Sequence, residues 1–159
     1  LLKIEINYSK GLIHTGTHYL DFLIDWFGMP TRWSSPVPIE KISSNDFTST
    51  FDLFFNFKGR EILVKMIGKE IKHDIDRVSI FFKQSKIEIV GARHVNYYNV
   101  VDNKETIEKT EITEFNNIIL KIINNITNQP INSNTINKDN FTQSYKILEY
   151  AIEINKSLF

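Results

Sequence analysis

Hydrophobic and polar positions alternate over much of this chain, and in three stretches the period lengthens from two residues to nearly four. Leu2, Ile4 and Ile6 alternate with Lys3, Glu5 and Asn7, which predicts a half-buried strand over Leu1 to Tyr8. Phe51, Leu53, Phe55 and Phe57 share one face of a strand over Ser49 to Phe57. Lys58-Gly59-Arg60 then turns the chain, the glycine permitting a positive φ, and Glu61 to Ile67 returns with Ile62, Val64 and Met66 inward. Val78, Ile80 and Phe82 mark a strand over Asp76 to Phe82, and a Gln84-Ser85 turn leads into Lys86 to Val90. Gly91 reads as a bulge or strand end. His94, Tyr97 and Tyr98 follow on another extended piece, which could line a pocket or form an outer sheet face. The alternating charges of Glu105 to Glu111 suit a solvent-facing or edge strand. Residues 29–46 are rich in Pro, Ser and Thr, and Pro30, Pro36 and Pro38 exclude a regular helix. Trp33 within them is a strand or packing residue, or a pocket wall. Residues 68–75 read as a polar loop with His73 solvated.

The helical period appears first between Gly11 and Gly28. Leu20, Leu23, Ile24 and Phe27 fall on one face, and Tyr19, Phe22 and Trp26 widen it until only Asp21 and Asp25 form a polar stripe. Thr15 or Thr17 is suited to cap its start. Gly28 ends the helix in a left-handed residue and Pro30 prevents its continuation. Thr113 to Thr127 is a second amphipathic helix with an isoleucine-rich stripe, and Asn128 to Asp139 a polar loop. Asn140 to Leu158 is the last helix, expected to turn Phe141, Tyr145, Leu148, Ala151, Ile152 and Leu158 toward the core. A strand, a helix, a run of strands and two more helices argue an α+β domain: a mostly antiparallel open sheet with helices on one face. The other face then needs a partner or an unusually polar surface, and its phenylalanines favour a partner.

Composition narrows the function classes. A chain of 159 residues with 42% hydrophobic content supports one domain with a real core. The formal net charge of zero gives no electrostatic case for a nucleic-acid or acidic-membrane partner. The lack of cysteine removes disulfides and thiolate chemistry and fits a reducing, cytoplasmic setting. No apolar run approaches the roughly 18 residues of a membrane span, and no signal peptide heads the chain. Leu1 falls in what reads as the middle of a strand, as expected of a fragment of a longer protein.

His14 and His18 carry the candidate chemistry. His18 lies in the first helical turn and His14 just before it, where the positive end of the helix dipole favours a neutral imidazole. A neutral histidine can take or give a proton. Two other readings stand beside that one: both rings satisfy hydrogen bonds in a tight turn, or they form a metal pair at i and i+4, for which no third ligand is near.

The run Gly11-Leu-Ile-His14-Thr-Gly-Thr-His18-Tyr-Leu-Asp21, with its apolar helix ending at Gly28, resembles the central helix of the C-terminal domain in the Gfo/Idh/MocA family of NAD(P)-dependent oxidoreductases. The aromatic strands, the isoleucine-rich helix and the last helix, Gln143-Ser-Tyr-Lys-Ile-Leu-Glu-Tyr-Ala-Ile, follow in the family's order, so the resemblance spans residues 1–159. It implies a glyceraldehyde-3-phosphate-dehydrogenase-like C-terminal domain for substrate binding and oligomerisation, preceded in the parent by a Rossmann domain that holds NAD or NADP. It implies an enzyme acting on a sugar or cyclitol hydroxyl or ketone, and a homo-oligomer formed through the open sheet face. Nothing here matches the family's Glu-Lys-Pro motif with its catalytic lysine, nor a Gly-x-Gly-x-x-Gly phosphate cradle. The chain alone is therefore expected to be inactive, with no cofactor-binding residue of its own. Of the family's Asp-then-His catalytic pair, His18 matches the His. His14 stands where the Asp usually is, and an imidazole cannot supply the negative charge that orients and stabilises its partner. Asp21 matches a common acidic position with a structural role. The resemblance makes His18 the catalytic candidate and His14 a proton partner or substrate contact. A non-catalytic binding or oligomerisation domain is the alternative.

Overall fold

The computed structural model describes residues 1, 3–73, 76–91, 94–101, 104–111 and 140–157. The expected helix at Thr113 to Thr127 and the loop after it lie outside the described residues. Strands β1 (Lys3–Tyr8), β2 (Arg32–Trp33), β3 (Val37–Ser43), β4 (Asp46–Phe57), β5 (Arg60–Gly68), β6 (Arg77–Phe81), β7 (Ser85–Val90), β8 (His94–Val101) and β9 (Lys104–Glu111) form one mixed sheet. Its order is β2-β4-β5-β1-β6-β7-β8-β9, with β3 beside β4. The β1–β5 pair is parallel and the other pairs are antiparallel. The α+β architecture is the expected one. Among the described residues the helices are α1 (Thr17–Phe27), entered through a π-helical turn at Leu12–Gly16, and α2 (Asn140–Lys156), with a short 3₁₀ turn at Ile71–His73. None of these helices is long and apolar enough to cross a membrane.

Register decides which side chains share a face. Phe51 pairs with Met66, which pairs with Ile6, which pairs with Val78, which pairs with Ile89. The parallel row Leu53, Val64, Ile4, Ile80 and Ile87 lies beside it on the same side. All ten are buried, and with Leu12, Leu20, Leu23 and Phe27 they make the core between sheet and helices. Phe27 meets Phe55 and Phe57 at ring separations of 5.6 and 5.4 Å, clamping the end of α1 to the hairpin of β4 and β5.

Tyr8 closes this core at the end of β1. Its hydroxyl donates to the Ser49 carbonyl at 2.7 Å and accepts the Ser49 N–H at 3.1 Å, tying β1 to β4 across β5. Gly68, its register partner, lies in between, and a Cβ there would come within 2.9 Å of the Ser49 backbone. Burial chiefly, and then the charge of Asp46, hold the phenol proton far above its ordinary range, against the opposing pull of the Ser49 backbone bond.

The outer sheet face carries two half-buried phenylalanines, each under a cation. The Arg32 guanidinium lies 3.4 Å from the centre of Phe54, and Lys3 lies 4.6 Å from Phe81. Lys86 lies 5.4 Å from Phe81 and also bonds Glu88 at 2.7 Å. Burial alone would raise the Glu88 carboxyl, but Lys86, Arg77 and the Tyr98 hydroxyl outweigh it and hold it below the usual carboxylate range. Phe51, Phe55 and Phe57 are on the core side, so the outer face is mixed polar and aromatic.

Residues 29–46 hold no helix, as expected, and contribute β2 and β3, both paired with β4. Trp33 is in β2, edge-on to Tyr150 of α2 at 5.0 Å. Two local expectations are corrected. Of the residues expected inward in α2, Ala151 is buried but Ile152 is half-buried and Leu148 is 39% exposed. Ile147, Tyr150, Ile154 and Asn155 are buried with Ala151; the burial of Phe141, Tyr145 and Leu158 lies outside what the structure describes. The 147, 150, 151 and 154 spacing is as helical as the expected stripe, and contact with the π turn and α1 selects it. Finally, no threonine caps α1. The Thr17 hydroxyl instead donates backward to the carbonyls of Ile13 at 2.9 Å and His14 at 3.2 Å.

Candidate functional site

The site is assembled on the turn that joins β1 to α1. Gly11 has φ +93°, and a Cβ on it would run into the Asp46 carboxylate, so both backbone conformation and space require glycine. Its N–H donates to the Thr48 hydroxyl at 2.9 Å. Asp46, buried at the start of β4, accepts the backbone N–H of Ile13 at 2.9 Å through Oδ1 and that of His14 at 3.3 Å through Oδ2. A helix start leaves such N–H groups without intrahelical partners, and here a carboxylate from a distant strand takes them. The Gly11 carbonyl then accepts the N–H groups of Thr15 and Gly16, both at 3.1 Å, which sets the wide first turn.

That geometry changes the expected setting of the histidines. Winding begins at Leu12, so His14 is already inside the turn and His18 is more than one turn from the start. Both rings are exposed. They are not placed alike. His18 lines a cavity of about 170 Å³ between α1 and the β6–β7 pair, and His14 is outside that lining. Phe22, Val78 and Ile89 form the apolar walls of the cavity, with Thr15, Tyr19 and Asp76 completing it. The Tyr19 hydroxyl donates to Asp76 Oδ2 at 2.9 Å. Burial first, then the charge of Asp76 and this bond, raise the Tyr19 phenol far above its ordinary range. Asp21, one turn from His18, has its carboxyl raised by burial and by Asp25, an effect His18 opposes.

Sequence reasoning did not single out Asp46, Tyr19 or Asp76 as site residues. Asp46 is thirty-odd positions from the turn it holds, with no local spacing to link them. Tyr19 read as part of an apolar face, and only its contact with Asp76 reveals the polar end. Among the described residues no three metal-ligating side chains converge, and His94 is an exposed strand residue. Tyr98 lies on the outer face, where its hydroxyl donates to Glu88 at 3.3 Å.

Neither a family model nor a curated protein matches the sequence. Solved structures do match the fold. The super-repressor mutant of Gal80p from Saccharomyces cerevisiae matches with a TM-score of 0.62 at 11% identity, over 98% of this chain and 55% of that one. The dehydrogenase MviM from Clostridium difficile matches at 0.55 and 15% identity, over 96% of this chain and 54% of that one. At the level of fold, the resemblance to the C-terminal domains of the Gfo/Idh/MocA oxidoreductases holds. Biliverdin reductase from Synechocystis sp. PCC 6803, in complex with biliverdin and NADP+, matches at 0.51 and 11% identity, over 98% of this chain and 54% of that one. The chain thus spans about half the length of the solved structures it matches.

Proposed function

We propose that this chain is the C-terminal substrate-binding and oligomerisation domain of an NAD(P)-dependent oxidoreductase of the Gfo/Idh/MocA kind. The observation that carries the reading is the place of His18: exposed on α1, at a cavity walled by Phe22, Val78 and Ile89. Similarity in fold to a dehydrogenase and to an NADP+-bound reductase supports it. The substrate would be a sugar or cyclitol carrying a hydroxyl or ketone. NAD or NADP, held by a Rossmann domain outside this chain, would supply the hydride acceptor or donor. His18 would take the hydroxyl proton as the C–H bond gives up its hydride and the carbinol carbon becomes a carbonyl, and would return it in the reverse direction. His14, without the negative charge of an aspartate, would contact substrate or relay the proton rather than tune His18. The outer sheet face would meet a second copy about a two-fold axis.

A second reading is a binding or assembly domain without catalysis. His14 in the place of the usual Asp favours it, as does similarity in fold to the super-repressor mutant of Gal80p. Fluorescence titration of NADH and NADPH against the full-length protein separates the two. Saturable binding with turnover of a sugar or cyclitol supports the oxidoreductase; absence of binding supports the second reading.

A further inference from the structure

The Tyr19–Asp76 pair gives the cavity beside His18 a definite hydrogen-bonding polarity. A phenol has one proton to donate and an oxygen that can also accept. The proton of Tyr19 goes to the Asp76 carboxylate at 2.9 Å, a charge-assisted bond stronger than one to a neutral acceptor. Burial and the neighbouring carboxylate keep that proton on the oxygen. Tyr19 therefore offers the cavity an acceptor. Its surroundings sharpen the effect, since Val78 and Ile89 are buried register partners and Phe22 faces them. Next to such walls a polar group left unpaired is costly. A ligand hydroxyl can donate to Tyr19, whereas a ketone oxygen would set acceptor against acceptor.

We propose that Tyr19 is a specificity-determining residue of this cavity, accepting a hydrogen bond from a ligand hydroxyl and so selecting an alcohol over the corresponding ketone. The inference rests on the reading that this cavity receives substrate. The ligand class is a ring or chain with an apolar carbon face and a hydroxyl beside it. Sites built to pair a hydroxyl reject the analogue that lacks it more strongly than apolar pockets reject a change of size.

The test is NMR titration of the 159-residue chain with cyclohexanol and with cyclohexanone, following the Tyr19 and His18 ring signals. The two probes share an apolar ring and differ at the one carbon. The alcohol is expected to bind at least about tenfold more tightly, the scale of one unpaired polar group. Tyr19→Phe, which keeps the ring, should bring the two affinities together. Asp76→Ala should free the phenol proton to donate, so that the ketone gains on the alcohol. Equal binding of both probes to the wild-type chain overturns the proposal, as does a preference that survives Tyr19→Phe or a lack of saturable shifts with either probe. Hydride transfer by the full-length protein is measured separately, so a failed titration and a failed oxidoreductase reading are distinct results.

Discussion

The Asp46 carboxylate accepts the backbone N–H of His14 at 3.3 Å, and its other oxygen takes that of Ile13 at 2.9 Å. One side chain from β4 thus fixes the turn that carries His14 and leads into α1, which carries His18. Removing it strands two N–H groups near the base of α1. Asp46→Ala should cost about 1.5–3 kcal/mol, the range for hydrogen bonds to charged groups, and Asp46→Asn less because one acceptor remains. Urea unfolding reads both. Gly11→Ala should also destabilise the chain, since it puts a Cβ against that carboxylate at a positive φ.

Alkaline pH should unfold this chain earlier than its composition suggests. Tyr8, Tyr19 and Tyr150 all have phenols raised above the ordinary value near 10, in each case chiefly by burial. The folded state keeps their protons after the unfolded state begins to lose them. Their contribution is therefore complete below about pH 10 and declines as pH rises beyond it. Thermal melts between neutral pH and pH 11 should show the decline, and Tyr8→Phe should make it shallower while lowering stability at pH 7 by about 1–3 kcal/mol, because the Ser49 carbonyl and N–H lose their partner.

The orientation of α2 gives a paired test. Ile154 is buried and Leu148 is 39% exposed. Ile154→Ala should cost about 2–5 kcal/mol and Leu148→Ala far less. The reverse order in denaturant midpoints would restore the stripe that periodicity alone suggested.

That helix also shows where sequence reading stopped. Period-two strands such as Phe51 to Phe57 and Ile62 to Met66 were legible because one face is buried and register leaves no choice. The α+β class followed from the same patterns, and among the described residues β9 ends the strand order, one of the two readings of its alternating charges. The parallel insertion of β1 between β5 and β6 was not legible, since alternation says that a strand is half-buried but not which neighbours it takes. In α2 two stripes were equally periodic, and only contact with the rest of the fold chose between them. At the candidate site, His14 and His18 stood out by their spacing. Asp46 and Asp76 did not, because their partners are distant in sequence and a lone Asp beside a strand looks like any turn residue.

The central claim is that the imidazole of His18 moves a proton in step with hydride transfer. Its most direct measurement is steady-state turnover of the full-length protein carrying His18→Ala, with nicotinamide cofactor and a sugar or cyclitol that the wild type oxidises. Loss of a general base should lower kcat by about 10²–10⁴-fold. Turnover equal to wild type would contradict the account.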